Sequence, residues 1–293
     1  MRQQRPHFSR PLALPGLICM AALILGACST QLTQGALSKS DADALESFPF
    51  GVWDELTRQH VDDKGRADYT AIQANPEALN KYVATLATVG PTGYKKLFPS
   101  KDAELAYVIN GYNALAMFNV LSRYPDIQGL DGVLAQKNFF YDTYLNIDGR
   151  NINLYDLENE VARPLARGAY KAEGKCTKLG RVHFALNCAS GGCPQLPAEA
   201  FTPENVDAQL DRETRKFVRE ARNVSVDHGK RVITLSMIFK WYEDDFTNDA
   251  CEKMNRLAWI NLYLGENEQI PTDYELEFRE YDWRLNDQKL YKD

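Results

Sequence analysis

Histidine is scarce in this 293-residue chain: there are four, and only His60, His183 and His228 lie beyond the first thirty residues. Few side chains can therefore act as a base near neutral pH. The sequence has no Gly-rich phosphate loop and no Gly-x-Ser-x-Gly elbow, so two common catalytic signatures are absent. Positive charge is in deficit, with 34 Lys and Arg against 40 Asp and Glu and a net charge of −6. A nucleic-acid partner is not expected from such a field. No internal repeat and no Pro/Gly/Ser linker breaks the chain after residue 45. Asp148, Asp156, Glu158 and Glu160 follow no glycosidase or EF-hand spacing, and no motif implies a cofactor.

One apolar run stands out, from Pro11 to Ala27 behind Arg2, Arg5 and Arg10. It is too short and too proline-broken for a comfortable membrane span. Its end, Leu25-Gly26-Ala27-Cys28, resembles the lipobox of bacterial lipoproteins. The resemblance implies a signal peptide over residues 1–27, cleavage before Cys28, and acyl chains such as palmitate on Cys28. Several acyl chains hold a soluble domain on a bilayer where one would not. Ser29 at the next position resembles lipoproteins sorted to the periplasmic face of the outer membrane. Processing removes three arginines and no acids, which takes the net charge from −6 to −9. Residues 28–45 read as a flexible tether of small polar residues, and 46–293 as the domain.

Within the domain, Phe50 to His60 and the Leu79, Tyr82, Val83 and Leu86 periodicity predict two helices. Asp102 to Ser122 is apolar on nearly every side and predicts a buried helix. Asn110 and Asn113 lie one turn apart on it, and a buried amide needs partners. They either clamp nearby backbone or line a site. Tyr144 to Asn153 predicts a hairpin turning at Asp148-Gly149, and Asn223 to Leu235 a second. Leu154 to Val161 reads as a short helix, Arg181 to Asn187 as a buried strand, and Thr202-Pro203 as a helix start. Ser236 caps a helix carrying Trp241 and Tyr242, and Met254 to Leu264 closes the helical set. The order predicts an α+β fold, a single domain with a small mostly antiparallel sheet packed against several helices.

The densest chemical signal is His183-Phe184-Ala185-Leu186-Asn187-Cys188-Ala189-Ser190-Gly191-Gly192-Cys193-Pro194. With Ile109-Asn110-Gly111-Tyr112-Asn113-Ala114, Ile238-Phe239-Lys240-Trp241-Tyr242, Asp245-Phe246, and Tyr281-Asp282-Trp283 ahead of Leu285-Asn286, it resembles the domain of unknown function 547 family. That family occurs in bacterial envelope proteins and in plants. In its plant members the position of Cys193 is often serine while that of Cys188 stays cysteine, which singles out Cys188. The motif also makes Lys240 and Asp245 secondary candidates.

Three readings of the cysteine loop stay open. Cys188 is a nucleophile for hydrolysis or acyl transfer, with His183 as base or orienter and Asn110 or Asn113 fixing the histidine or an oxyanion. In an extended strand, however, residues 183 and 188 lie about 16 Å apart on opposite faces, and His60 is the alternative base. Otherwise Cys188 and Cys193 form a structural or redox disulfide in a non-catalytic binding or scaffold protein. A zinc-type set with Cys176 is the third reading. The expected partners are the envelope membrane, through the anchor, and a substrate or protein that the sequence does not identify.

Overall fold

The computed structural model describes residues 29–172, 176–248 and 253–291. The expected signal peptide, residues 1–27, lies outside the described residues, as do Cys28 and Cys251. In chain order the elements are β1 (Thr30–Gln31), α1 (Lys39–Asp43), α2 (Phe50–His60), α3 (Tyr69–Ala74), α4 (Glu77–Thr88), α5 (Lys101–Leu121) and α6 (Val133–Lys137). Next come β2 (Thr143–Ile147), β3 (Arg150–Asn153), α7 (Leu154–Asp156), α8 (Arg163–Ala172) and α9 (Val206–Arg219). The last are β4 (Val224–Asp227), β5 (Val232–Leu235), α10 (Ile238–Trp241), α11 (Glu243–Thr247), α12 (Arg256–Asn261) and β6 (Glu275–Phe278). A π-helical turn, Leu157–Ala162, links α7 to α8, and a 3-10 helix spans Cys176–Phe184.

The fold is a single α+β domain whose strands form two three-stranded sheets, β1-β2-β3 and β4-β5-β6. Each consists of an antiparallel hairpin with a parallel strand on one edge. In the first hairpin Ile147 pairs with Arg150, so Asp148-Gly149 is the two-residue turn the sequence predicts, with positive φ at both residues. β6 was not predicted. Its side chains alternate between exposed and half-buried, so it carries too weak an apolar stripe to stand out.

Two hydrophobic cores pack side by side. The larger surrounds α5, where sixteen of twenty-one residues are buried, as expected for a helix apolar on all sides. Ser100 caps it by accepting from the Ala103 N–H at 3.1 Å. The second core is aromatic, with Phe184, Phe217, Phe239, Phe246 and Trp259 in mutual contact against Ile233 and Leu235 of β5.

Two expectations are corrected. Residues 29–45 are not a free tether. Gln34 is buried, donates to the Asn146 carbonyl at 2.9 Å and accepts from the Asn146 N–H, while Ala42 is fully enclosed. The small polar composition conceals an edge-strand partner. Nor is Arg181 to Asn187 a strand, since its first half lies in the 3-10 helix. Where a run is buried on all sides, periodicity does not separate strand from helix. Its ladder positions are also taken, because Asn113 occupies the Ala185 carbonyl and the Asn187 N–H.

Candidate functional site

Where the two cores meet they enclose a cavity of about 330 Å³. The larger core contributes Tyr112, Phe140, Tyr141, Tyr155 and Glu158, and the aromatic core contributes Ile238, Trp241 and Tyr242. The chain between the cores supplies His183, Leu186, Cys188 and Cys193, while the C-terminal segment adds Tyr281 and Trp283. Two aromatic groups flank the space. Tyr141 stacks on Tyr155 at 4.5 Å between ring centroids, and Trp241, Tyr281 and Trp283 form a triangle with centroids 4.5 to 5.8 Å apart. Such rings offer large apolar faces with polar edges.

His183 is almost fully enclosed, and its Nε2 lies 2.7 Å from Asp245 Oδ2. An ionised carboxylate only accepts, so the neutral ring carries its proton on Nε2 and leaves the lone pair on Nδ1. Glu158 Oε1 stands 3.8 Å from Nδ1. Tyr242 lies against the imidazole at 3.7 Å between centroids. Burial pushes the His183 pKa below 6.5, although Asp245 pulls the other way. For Asp245, burial acts to raise the pKa, but the His183 hydrogen bond and the Arg163 charge outweigh it and hold the carboxyl at about 2. Arg163 reaches Asp245 Oδ2 at 2.6 Å and Arg167 reaches Oδ1 at 3.2 Å.

Cys188 and Cys193 are joined in a disulfide, with Cα atoms 6.1 Å apart. The loop between them is closed from several sides. Asn187 accepts from the Ala189 N–H at 2.9 Å and donates to the Pro194 carbonyl at 2.7 Å. Ala189 sits at φ +63°, a left-handed conformation that few non-glycine residues adopt. Arg222 donates to the Gly191 carbonyl at 2.6 Å and to that of Cys193 at 3.2 Å. Gly192 leaves no room for a side chain, since a Cβ would fall 2.8 Å from the Tyr281 ring, and at Gly191 a Cβ would displace the Tyr291 hydroxyl 2.0 Å away.

His183 and Cys188 do share a cavity, because the 3-10 turn and the bend after Phe184 replace the extended strand that would have separated them. Asn110 and Asn113 do not line it. Asn110 donates to the Phe201 carbonyl at 2.7 Å and accepts from its N–H at 3.0 Å. Asn113 spans the Ala185 carbonyl and the Asn187 N–H at 2.9 and 2.8 Å. Both amides are spent on main chain, so their expected catalytic role is replaced by a clamping one. Asp245 orients the histidine instead.

Lys240 is exposed and lies over the Phe278 ring at 5.4 Å, outside the cavity. His60 ends α2, where its carbonyl accepts from Asp68 N–H at 2.8 Å, and His228 is exposed beside Tyr274. Neither lines the cavity. Glu158 and Arg163 had no legible role in the sequence. They sit in and after a π-helical turn, a feature frequent at functional sites that leaves no sequence pattern. Among the described residues, no group of three or more His, Cys, Asp or Glu is arranged to hold a metal ion.

Residues 97–218 match the family described as protein of unknown function, DUF547. The stretch is similar to that family. It contains the clamps Asn110 and Asn113, Glu158, Arg163, His183 and the disulfide loop. Asp245, Trp241, Tyr281 and Trp283 lie beyond it, so the matched stretch carries most of the cavity lining and later chain supplies one aromatic wall. No curated protein and no solved structure matches the chain.

Proposed function

We propose that the protein is a lipid-anchored protein of the bacterial cell envelope that binds a small, largely apolar ligand in this cavity. The supporting observation is the combination of facing aromatic groups with one buried polar cluster, His183, Asp245 and Glu158. Ligand sites are typically concave, mostly apolar and equipped with a few placed polar groups. The ligand's apolar body would lie between Tyr155 and Trp241, with a hydrogen-bonding end toward His183.

The test uses 1-anilinonaphthalene-8-sulfonate as probe. The oxidised protein is expected to bind it with one-to-one stoichiometry, and Trp241→Ala should weaken binding about tenfold by removing one aromatic face. Absence of saturable binding, or equal binding by the variant, overturns the reading.

A second reading rests on Cys188 and His183 lining the same cavity. Once the bridge is reduced, the Cys188 thiolate would stand in a histidine-bearing pocket suited to hydrolysis or acyl transfer on an ester or amide. In the same assay series, the dithiol form should release nitrophenol from a nitrophenyl ester in a burst that Cys188→Ser abolishes. A burst that survives that substitution, or no burst at all, removes this reading.

The envelope assignment rests on the residues around Cys28. Cys28→Ala is expected to shift the protein from the membrane to the soluble fraction on cell fractionation, since the acyl chains are the proposed anchor. Unchanged sedimentation with membranes would refute the anchor.

A further inference from the structure

The two sulfurs of the bridge stand in different surroundings. Cys193 is 2% exposed, whereas Cys188 is half-buried. Cys193 Sγ accepts from the Cys188 N–H at 2.9 Å and from the Tyr281 hydroxyl at 3.2 Å, while the Ser190 hydroxyl, 3.3 Å from the sulfur, donates to the Tyr281 hydroxyl at 3.3 Å. Cys188 Sγ lies slightly farther from the Tyr281 hydroxyl, at 3.4 Å, with Ser190 again at 3.3 Å, and among the described residues it has no backbone donor. A disulfide sulfur is a weak acceptor and gains little from such donors, but a thiolate gains much. Burial pushes the Tyr281 phenol above its ordinary pKa, so it stays protonated and able to donate. The donors are therefore placed for a charge that the closed bridge does not carry.

From this asymmetry we infer that the bridge is a thiol–disulfide exchange site, in which Cys188 is the sulfur attacked and Cys193 the stabilised leaving group. The inference rests on the cavity admitting ligands, as proposed above, and assigns it a class of reactant, a dithiol. A thiolate of the dithiol attacks Cys188 Sγ. The Cys188–Cys193 bond breaks, a mixed disulfide forms on Cys188, and the electron pair leaves on Cys193 as a thiolate. The second thiol, after losing its proton, attacks the donor's sulfur in the mixed disulfide. It releases Cys188 as a thiolate that takes up a proton. The donor ends as a disulfide and the protein gains two electrons. Attack is easiest on the accessible sulfur, and a leaving thiol of lower pKa departs faster.

The experiment treats the full folded protein with dithiothreitol and reads reduction by alkylation and mass spectrometry. Reduction should proceed without loss of the near-ultraviolet dichroism of the folded state. Tyr281→Phe and Ser190→Ala each remove a hydroxyl, and each should slow reduction, the first about tenfold, as befits a hydrogen bond to a developing charge. Cys193→Ser should form a mixed disulfide with glutathione disulfide at Cys188, while Cys188→Ser leaves Cys193 unmodified until denaturant is added. A bridge that opens only as the protein unfolds overturns the inference, as does wild-type reduction in both hydroxyl variants or equal labelling of the two cysteines. Probe binding by the oxidised protein is read separately, so failed exchange with intact binding refutes this inference alone.

Discussion

Asp245→Ala is expected to lower the folding free energy by about 3–5 kcal/mol, measured as the midpoint shift in urea unfolding. Asp245 is fully buried and receives His183, Arg163 and Arg167. Its removal leaves a buried imidazole and a largely buried guanidinium without their acceptor, and the cost comes from those orphaned groups rather than from the lost contacts alone. The same carboxylate gives the protein an acid limb. Its folded pKa of about 2 lies below the ordinary 3.8, so its contribution of about 2 kcal/mol is whole above roughly pH 4 and drains away as pH falls toward 2. His183 acts earlier and in the same direction. Because its folded pKa lies below 6.5, the unfolded chain takes up a proton that the folded one refuses, and stability falls as pH drops below that value. In the alanine variant the step between pH 4 and 2 should shrink. A variant as stable as the parent, with the same acid profile, would show that the buried cluster is not held by this aspartate.

Phe184→Ala should be nearly as severe, at about 3–5 kcal/mol. Phe184 has no exposed surface and stacks on Phe217 at 4.4 Å, with Phe239, Phe246 and Trp259 within 6.0 Å. Those rings come from four separate helices, α9, α10, α11 and α12, so the gap left by truncation has no single neighbour able to collapse into it. His183 is the preceding residue, and Phe246 lies next to Asp245. Probe binding is therefore expected to weaken together with the unfolding midpoint. A loss of under about 1 kcal/mol would mean that the aromatic core repacks around the hole.

Much of the fold was legible in local chemistry. The all-round apolar character of 102–122 betrayed α5, and Asp148-Gly149 betrayed its hairpin turn. The burial of Asn110 and Asn113 was legible too, along with their need for partners. Clamping backbone is one of the two roles the sequence allows them, but the backbone they clamp is not legible, because the partners lie 72 to 91 residues further along the chain. Arg181 to Asn187 was misread for a related reason: side-chain bonds replace the ladder that its apolar character suggested. His183 and Asp245 were both singled out, but as unrelated candidates, since their 62-residue separation hides the contact between them. Glu158 remained invisible. Its value depends on a π-helical turn that aims it at His183, and a short acidic run reads the same whether it faces solvent or a cavity.

The C-terminal segment does more than dock. Gly191 N–H donates to the Arg284 carbonyl and Gly192 N–H to that of Asp282, both at 2.7 Å, while Asn286 N–H donates to the Ala189 carbonyl at 3.0 Å. The same few residues bond to Gln128, Leu130 and Ala67, so one strap stitches the bridge loop to the segments that follow α2 and α5. Synthesis is vectorial, and Tyr281 and Trp283 emerge well after the bridge loop. A chain still being made already holds His183 and both cysteines, yet lacks the Tyr281 hydroxyl on Cys193 and one wall of the cavity. The site is a timed construction: nascent, truncated or C-terminally clipped molecules carry the cysteine loop without the latch that finishes it.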